Sequence, residues 1–345
     1  MRDQGSPVGK KQNNFILIIF VLVLVIVMAV VVILAMNRQK TAAGTTGQES
    51  ESIVSDTETV SEKWQEGVIT YNGKKYQLNR AISTYLYLGI DKDEKVAPAK
   101  DAVSGGQADA QFLLIVNDKT KTLSVLAINR NTMTDIEVYD EEGNSLGKHR
   151  FQICLQHGFG DGMRGSCNMS VDAVSNLLYG MPINGYFAMN MGGLVQMNDA
   201  VGGVTVDVMQ DIEDENKGVS LKEGETVTLN GDEAYDYIRV RDTSVFDSST
   251  ARLNRQIQYI TALTFQMKAL GVNKAMEIYD SVSDYVVTNI EMNSLAEKVW
   301  DCKFDTAQVY HIPGETVMGD EYEEYNVDED ALYQMIIDIF YEPVE

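Results

Sequence analysis

Residues Gln111–Ile128 read QFLLIVNDKTKTLSVLAI: two apolar runs, Gln111–Asn117 and Thr122–Ile128, joined by the polar turn Asp118-Lys119-Thr120-Lys121. Apolar runs of this length bounded by turn residues are strands, and so short a turn makes them antiparallel neighbours. An earlier run, Thr84–Ile90 (TYLYLGI), stops at Asp91 and is followed by the polar, glycine-containing loop Lys92–Gln107. Asp109 lies just before the second of these three strands and Arg130 just after the third, so the hairpin delivers both to one edge of the sheet. If the first strand runs parallel to the third, Asp91 arrives there too. That crevice at the strand ends is where open α/β sheets generally bind ligands.

Working outward, Val68–Leu78 alternates around Asn72-Gly73, a strong hairpin signal. Toward the C-terminus, Asn168–Leu178 has helical periodicity, Gly185–Asn190 is a strand, Gly192–Ala200 a short helix and Val204–Val208 a strand. A helix begins near Asn230. The longest helix covers Thr250–Leu270, with Leu253, Ile257, Ile260, Leu263, Met267 and Leu270 as its apolar stripe and Gly271 as its C-terminal cap. Helix Asn293–Cys302, strand Gln308–Pro313 and an amphipathic helix Asp328–Phe340 close the chain.

Between the last two central helices lies Tyr237–Gln256, YIRVRDTSVFDSSTARLNRQ. It holds Arg239, Arg241, Arg252 and Arg255, in a protein of formal net charge -23. Arginine's planar fork suits bidentate phosphate recognition. Arg252 and Gln256 are four residues apart and share a face in the first two turns of the long helix, where free backbone N–H groups already favour an anion. Arg255 sits roughly 100° around the helix from Gln256 and is the weaker candidate. Asp91 and Asp109 suit a hard divalent cation, which takes carboxylate oxygens and completes its shell with water or substrate phosphates. Plainer readings stand beside these: solvated surface salt bridges for the arginines, and turn formation for a strand-end aspartate.

Phe15–Met36 is uninterrupted apolar sequence, long enough to span a hydrocarbon core and with no clean signal-peptide cleavage site. Arg2, Lys10 and Lys11 precede it, which points to a cytoplasmic N-terminus. The expected layout is a cytoplasmic tail over 1–14, a transmembrane helix over 15–36, a disordered acidic linker over 37–63 and an extracellular domain over 64–345. The acidic excess excludes nucleic acid as a partner. Cys154, Cys167 and Cys302 have no metal-ligand spacing; a Cys154–Cys167 disulfide is permitted outside the cell. There is no GxxxxGK[ST] loop and no G-x-S-x-G elbow.

Read in order, LGID (Leu88–Asp91), GGQAD (Gly105–Asp109), INRNTM (Ile128–Met133), DAVGGVTVDV (Asp199–Val208) and LNGDEAYDYIRVR followed by ARLNRQ resemble the LytR-CpsA-Psr family of membrane-anchored cell-envelope transferases. The resemblance covers about 84–270. It implies a three-layer α-β-α sandwich with a central mixed sheet, and a magnesium-dependent phosphotransferase. Such enzymes move a glycopolymer (teichoic acid, capsule or a related polymer) from a polyprenyl-pyrophosphate carrier to peptidoglycan. By position, Asp91 and Asp109 hold Mg²⁺, and Arg130, Arg239, Arg241, Arg252 and Gln256 grip the pyrophosphate, with Arg130 and Asp109 catalytic. Apolar residues of the central helices and strands sheathe the lipid tail. Three places depart from the family pattern. Gln107 and Ala108 stand where an Arg and a Ser are usual, Asn131 replaces the Asp of a Pro-Arg-Asp, and the Gly-Asp before the second arginine cluster is out of register. An amide at 131 is no general base. Two further readings therefore accompany the transferase: a non-catalytic polyprenyl-phosphate binder that regulates envelope assembly, and a pyrophosphatase.

Overall fold

Asn72 and Gly73 both take positive φ (47° and 73°), the backbone a two-residue hairpin needs, and they join β1 (Val68–Tyr71) to β2 (Lys74–Leu78). The computed structural model describes residues 68–344, with the backbone alone for 305–308. The expected tail (1–14), membrane helix (15–36) and linker (37–63) lie outside the described residues. Among the described residues no helix is long and apolar enough to cross a membrane.

After the first hairpin come β3 (Ile82–Ile90), β4 (Ala108–Asn117) and β5 (Thr122–Ile128), then a second hairpin of β6 (Met133–Tyr139) and β7 (Ser145–Gln152). Helix α1 (Arg164–Leu177), β8 (Gly185–Asn190), α2 (Gly192–Ala200) and β9 (Val204–Asp207) follow. A small hairpin, β10 (Ile212–Asp214) and β11 (Val219–Leu221), precedes β12 (Thr226–Leu229), α3 (Gly231–Arg239) and α4 (Ser248–Leu270). The chain continues through α5 (Val272–Val282), β13 (Val286–Thr288), α6 (Met292–Trp300) and β14 (Lys303–His311). It ends with β15 (Gly314–Met318), β16 (Glu323–Val327), α7 (Glu329–Phe340) and β17 (Tyr341–Pro343).

Six strands form the central sheet in the order β13-β8-β3-β4-β5-β14. The sheet is mixed: β3 pairs antiparallel with β4 and β4 with β5, while β8 is parallel to β3 and β14 to β5. β3 and β5 therefore run the same way, and the residues that follow them emerge at one edge. Alternating side chains bury both faces. Leu86, Leu88, Leu113 and Leu126 pack with Val174 of α1 and with Leu332, Ile336 and Phe340 of α7. On the opposite face Phe112, Val125 and Ala127 pack with Leu253 of α4. A buried Leu contributes roughly 1.5–3 kcal/mol and an exposed ion pair at most about 1 kcal/mol, so these two apolar layers hold the domain together.

Several expected elements shift. β4 begins at Ala108, so Asp109 lies inside the strand rather than before it. The ladder steps from Gly89↔Ala110 to Ile90↔Ala108, leaving Asp109 as the extra residue of a bulge. The bulge reverses the alternation: Ala108 joins the α1/α7 face with Leu113, whereas Ala110 and Phe112 face α4. A Cβ at Gly89 would stand 3.0 Å from the Ala110 Cβ, so the bulge needs glycine opposite it. Hairpin β6–β7 and helix α5 were not expected, because charged residues such as Asp135, Lys148 and Arg150 blur the two-residue period. Leu270, placed on the α4 stripe, is exposed at the helix end, while Leu253 and Leu263 are buried. All three cysteines are free and buried, Cys154 beside Gln107 and Cys167 beside His157, so no Cys154–Cys167 disulfide forms.

Helix α1 starts at Arg164, not Asn168, because Asp161 caps it: the carboxylate accepts N–H bonds from Met163 (2.8 Å), Gly165 (3.1 Å) and Ser166 (3.0 Å). Burial works against that charge, but the three N–H bonds outweigh it and hold the Asp161 pKa below its ordinary value. The cap thus stabilises above the usual carboxylate range and its contribution is lost as pH falls through the lowered pKa. Asp161→Ala is expected to cost about 1 kcal/mol at neutral pH. In acid the gap to the wild type should close, as read by urea denaturation at both pH values.

Candidate active site

Three segments meet at the edge where β3 and β5 end. Asp91 follows β3, and its Oδ1 accepts the Gln107 N–H at 2.6 Å while its own N–H donates to the Gln107 carbonyl at 3.0 Å. Arg130 follows β5. Its Nε donates to Asp109 Oδ1 at 2.7 Å, Nη1 to Asn131 Oδ1 at 3.1 Å and Nη2 to Gln107 Oε1. The second oxygen of Asp109 accepts from Arg252 Nη1 at 3.0 Å. Two arginines from distant parts of the chain thus share one carboxylate. Their side chains are 12% and 5% exposed, so this is a largely desolvated triad rather than a surface salt bridge.

Local sequence explains how the arginines are presented. Asn230 and Glu233 form a reciprocal capping box that fixes the start of α3, and the helix ends at Arg239. The Arg239 guanidinium lies 5.3 Å from the Tyr235 ring centroid, and the Tyr235 hydroxyl donates to Asp93 at 2.6 Å. Arg241 Nη1 donates to Ser248 Oγ at 3.2 Å, at the first residue of α4. Arg255 is fully buried and serves the fold: its Nε donates to the Tyr237 carbonyl at 2.7 Å and Nη2 to the Val240 carbonyl, clamping the end of α3. Gln256 stands apart from the charged group. Its Nε2 donates to the Ile238 carbonyl at 3.1 Å, its buried Oε1 has no partner, and it lines an apolar cavity.

The electrostatics separate the groups. Burial opposes ionisation of Asp109, but Arg252 and Arg130 outweigh it and hold its pKa below the ordinary carboxylate value. Burial also opposes the Arg130 charge, and its anionic neighbours overcome that, raising its pKa. For Arg252 burial prevails and, with repulsion from Arg130 and Arg241, lowers the pKa. Arg252 Nη2 is buried with no hydrogen-bond partner. Arg252 is thus paired with Asp109 yet keeps one buried donor without an acceptor, as Arg255 does at its Nη1. Asp91 is raised, first by partial burial and then by the Asp109 charge, against the Gln107 N–H bond.

As donors for a hard cation, Asp91 and Asp109 are the right kind: two coupled carboxylates, with Asp91 Oδ2 carrying no protein partner. No group of three or more ligand-type side chains capable of holding a metal occurs among the described residues. Both Asp109 oxygens already accept from Arg130 and Arg252, so a Mg²⁺ here would share them with the arginines, taking one or two carboxylates and completing its octahedron with water and substrate phosphates.

Beside the arginines, between the sheet and helices α2–α4, lies an apolar cavity of about 110 Å³ walled by Tyr87, Ala110, Phe112, Met189, Leu194 and Leu263. Other residues reach the site unannounced by motif. Asn131 Nδ2 donates to Ser249 Oγ at 3.1 Å, and Gln152 Nε2 bridges Asn131 Oδ1 (3.1 Å) and the Glu323 carbonyl (2.8 Å). The Asp-Ser-Ser-Thr at 247–250 is a helix-start signature that could have revealed Ser249; nothing local marks Gln152 or Glu323.

Fold and site together define an α/β domain with a cationic sheet edge beside an apolar cavity. A model described as the LytR_cpsA_psr family matches residues 36–338, and this chain belongs to that family. The polyisoprenyl-teichoic acid–peptidoglycan teichoic acid transferase TagU of Halalkalibacterium halodurans is 28% identical over 200 residues, which are 58% of this chain and 60% of that protein. The Enterococcus faecalis transferase of the same name is 27% identical over 265 residues, 75% of this chain and 80% of its own. The chain thus spans less than two thirds of the first relative and more of the second. Among solved structures, protein gbs0355 from Streptococcus agalactiae matches with TM-score 0.62 at 22% identity, covering 75% of this chain and 86% of that one. TagT bound to LI-WTA matches with TM-score 0.57 at 21% identity, covering 75% and 90%. The shared fold is the α/β arrangement with a mixed central sheet.

Proposed function

We propose that this chain is a membrane-anchored phosphotransferase that moves a teichoic-acid-type glycopolymer from a polyprenyl-pyrophosphate carrier to peptidoglycan on the outer face of the membrane, using Mg²⁺. The observation that carries the reading is Arg252, a buried guanidinium with an unpartnered Nη2, set beside Arg130 and Asp109 at an edge adjoining an apolar cavity. A pyrophosphate supplies an acceptor for that Nη2, and a prenyl tail suits the apolar walls. The names of the family relatives support the substrate class. Arg130, Arg239, Arg241 and Arg252 neutralise the phosphates, whose charge rises as the bridging bond lengthens. Asp91 and Asp109 would hold Mg²⁺, which when bound polarises the phosphoryl oxygens. A peptidoglycan hydroxyl forms a bond to the glycan-side phosphorus, the bridging P–O bond breaks toward the lipid phosphate, which leaves with the bonding pair, and the hydroxyl proton passes to water. Asp109, paired with two arginines and held acidic, is a weak base; besides the metal it would share with Asp91, it aims the arginines.

A second reading, a non-catalytic polyprenyl-phosphate binder, draws on Asn131, whose amide is engaged by Arg130, Gln152 and Ser249 and takes no proton. Turnover separates the two. The full-length chain in detergent, given a prenyl-pyrophosphate-linked glycan, peptidoglycan and Mg²⁺, is expected to form acceptor-linked polymer, and chelation with EDTA to stop it. Tight donor binding without transfer would establish the binder. Phosphate release independent of acceptor would establish a pyrophosphatase.

A further inference from the structure

Gln107 joins two halves of the site, one with its main chain and the other with its side chain. Its N–H donates to Asp91 Oδ1 at 2.6 Å, and its carbonyl accepts the Asp91 N–H at 3.0 Å. Its side-chain Oε1 accepts from Arg130 Nη2. Gln107 thus ties Asp91, at the end of β3, to Arg130, at the end of β5. Two residues on, Asp109 takes Arg130 Nε at 2.7 Å, so the entry to β4 grips the guanidinium on two sides.

The chain around Gln107 keeps it still. Gly105 lies against the helical turn Ile153–Gly158: its N–H donates to the Gly158 carbonyl at 3.0 Å, and a Cβ there would stand 2.5 Å from the His157 carbonyl. His157 Nδ1 lies 3.0 Å from the Gly106 carbonyl. The same turn carries Cys154, whose N–H donates to the Arg130 carbonyl at 3.2 Å and whose thiol faces Gln107 Oε1 at 4.0 Å. Burial pushes the thiol pKa up to about 12, so it keeps its proton. Arginine has no acceptor and the thiol has a proton to give, so both call for the amide oxygen and the Gln107 amide has one orientation.

We propose that Gln107 is a positioning residue for Arg130: together with Asn131 it fixes the plane of the guanidinium without cancelling its charge. This role rests on the functional reading above. Of the five N–H groups of Arg130, Nε–H goes to Asp109, one on Nη1 to Asn131 and one on Nη2 to Gln107, which leaves one on each terminal nitrogen for a phosphate. A guanidinium held at three points has little orientational freedom left to lose when the anion arrives. The three acceptors are one carboxylate and two neutral amides. Asp109 therefore offsets one of the two positive charges of Arg130 and Arg252, and the triad stays net positive. Carboxylates in place of both amides would reverse that sign. Two departures from the family pattern, at 107 and 131, thus share one physical role.

Gln107 is half-buried and holds Asp91 through its main chain, so a side-chain substitution leaves the fold and Asp91 in place. The test uses the full-length chain in detergent with a prenyl-pyrophosphate-linked glycan, peptidoglycan and Mg²⁺, and reads kcat, KM and the melting temperature. Gln107→Met keeps the volume and removes the acceptor. Its kcat is expected to fall about tenfold with KM within about twofold, because Arg130 loses its aim and keeps its charge. Gln107→Glu keeps an acceptor for Arg130 and adds a negative charge. It should hold kcat within about threefold and raise KM about tenfold, with a matching loss of affinity in calorimetry with a short prenyl pyrophosphate. Both variants should melt with the wild type. Equal falls in kcat for the two variants, an unchanged kcat in Gln107→Met, or a loss of transfer that tracks a lowered melting temperature overturns the positioning role alone. If the wild type transfers no polymer, the functional reading falls and the positioning role falls with it.

Discussion

Asp109→Ala is expected to abolish polymer transfer and also to destabilise the domain. Its carboxylate is the shared partner of Arg130 and Arg252, both largely buried. Removing it leaves two neighbouring guanidinium groups in a desolvated pocket with no counter-charge between them. Breaking a buried pair in this way costs about 3–5 kcal/mol. Transfer should fall by at least about 10²-fold, because arginines that are no longer aimed cannot stabilise the developing phosphate charge. Asp109→Asn keeps the volume and one acceptor oxygen, so it should recover part of the stability and little of the transfer. Thermal unfolding followed by circular dichroism, alongside polymer transfer with purified donor, reads both effects. Full transfer by Asp109→Ala would sink the assignment of the site, and an unchanged melting temperature would sink the account of the triad.

For Arg252→Ala the two effects separate. Asp109 keeps Arg130, so no carboxylate is stranded, and the substitution also removes the repulsion that Arg252 suffers from Arg130 and Arg241. The melting temperature should move less than in Asp109→Ala. Donor binding and transfer should fall together, transfer by about 10²–10³-fold, the usual loss when one preorganised donor to a transition-state oxyanion is removed. Arg252→Lys should not restore it, since an ammonium point charge cannot hold Asp109 and a phosphate at once as the planar fork does. Calorimetric titration with the prenyl pyrophosphate and single-turnover transfer check both parts. Wild-type transfer in Arg252→Lys would mean that only charge matters at this position.

Much of the site was legible because strand ends and helix starts are written locally. The hairpin Gln111–Ile128 and the stop of β3 at Asp91 are enough to bring Asp91, Asp109 and Arg130 to one edge, and the folded chain brings them there. The capping box at Asn230 and the glycine after Leu270 are equally local signals. Demoting Arg255 from the ligand set also agrees with its structural clamp on α3. The reading of Gln256 as a phosphate ligand took helical phase for orientation: it shares a face with Arg252, but its amide is tied to the Ile238 carbonyl and it lines the apolar cavity. Hairpin β6–β7 and helix α5 escaped because their polar faces obscure the period.

By itself, then, the order of residues determines which strands pair, which carboxylates and arginines are available, and that an acidic chain concentrates cations in one stretch. Those are properties of neighbours in sequence and of a two-residue or 3.6-residue period. Only the tertiary structure decides that Asp109 occupies a bulge, that its two oxygens are divided between Arg130 and Arg252, and that Ala110 and Gln256 line one apolar cavity. Each of those joins segments about twenty residues apart or more. The physical reason is desolvation: once packing removes water from the arginines, their charges must find partners across the fold, and no local pattern records which partner that will be.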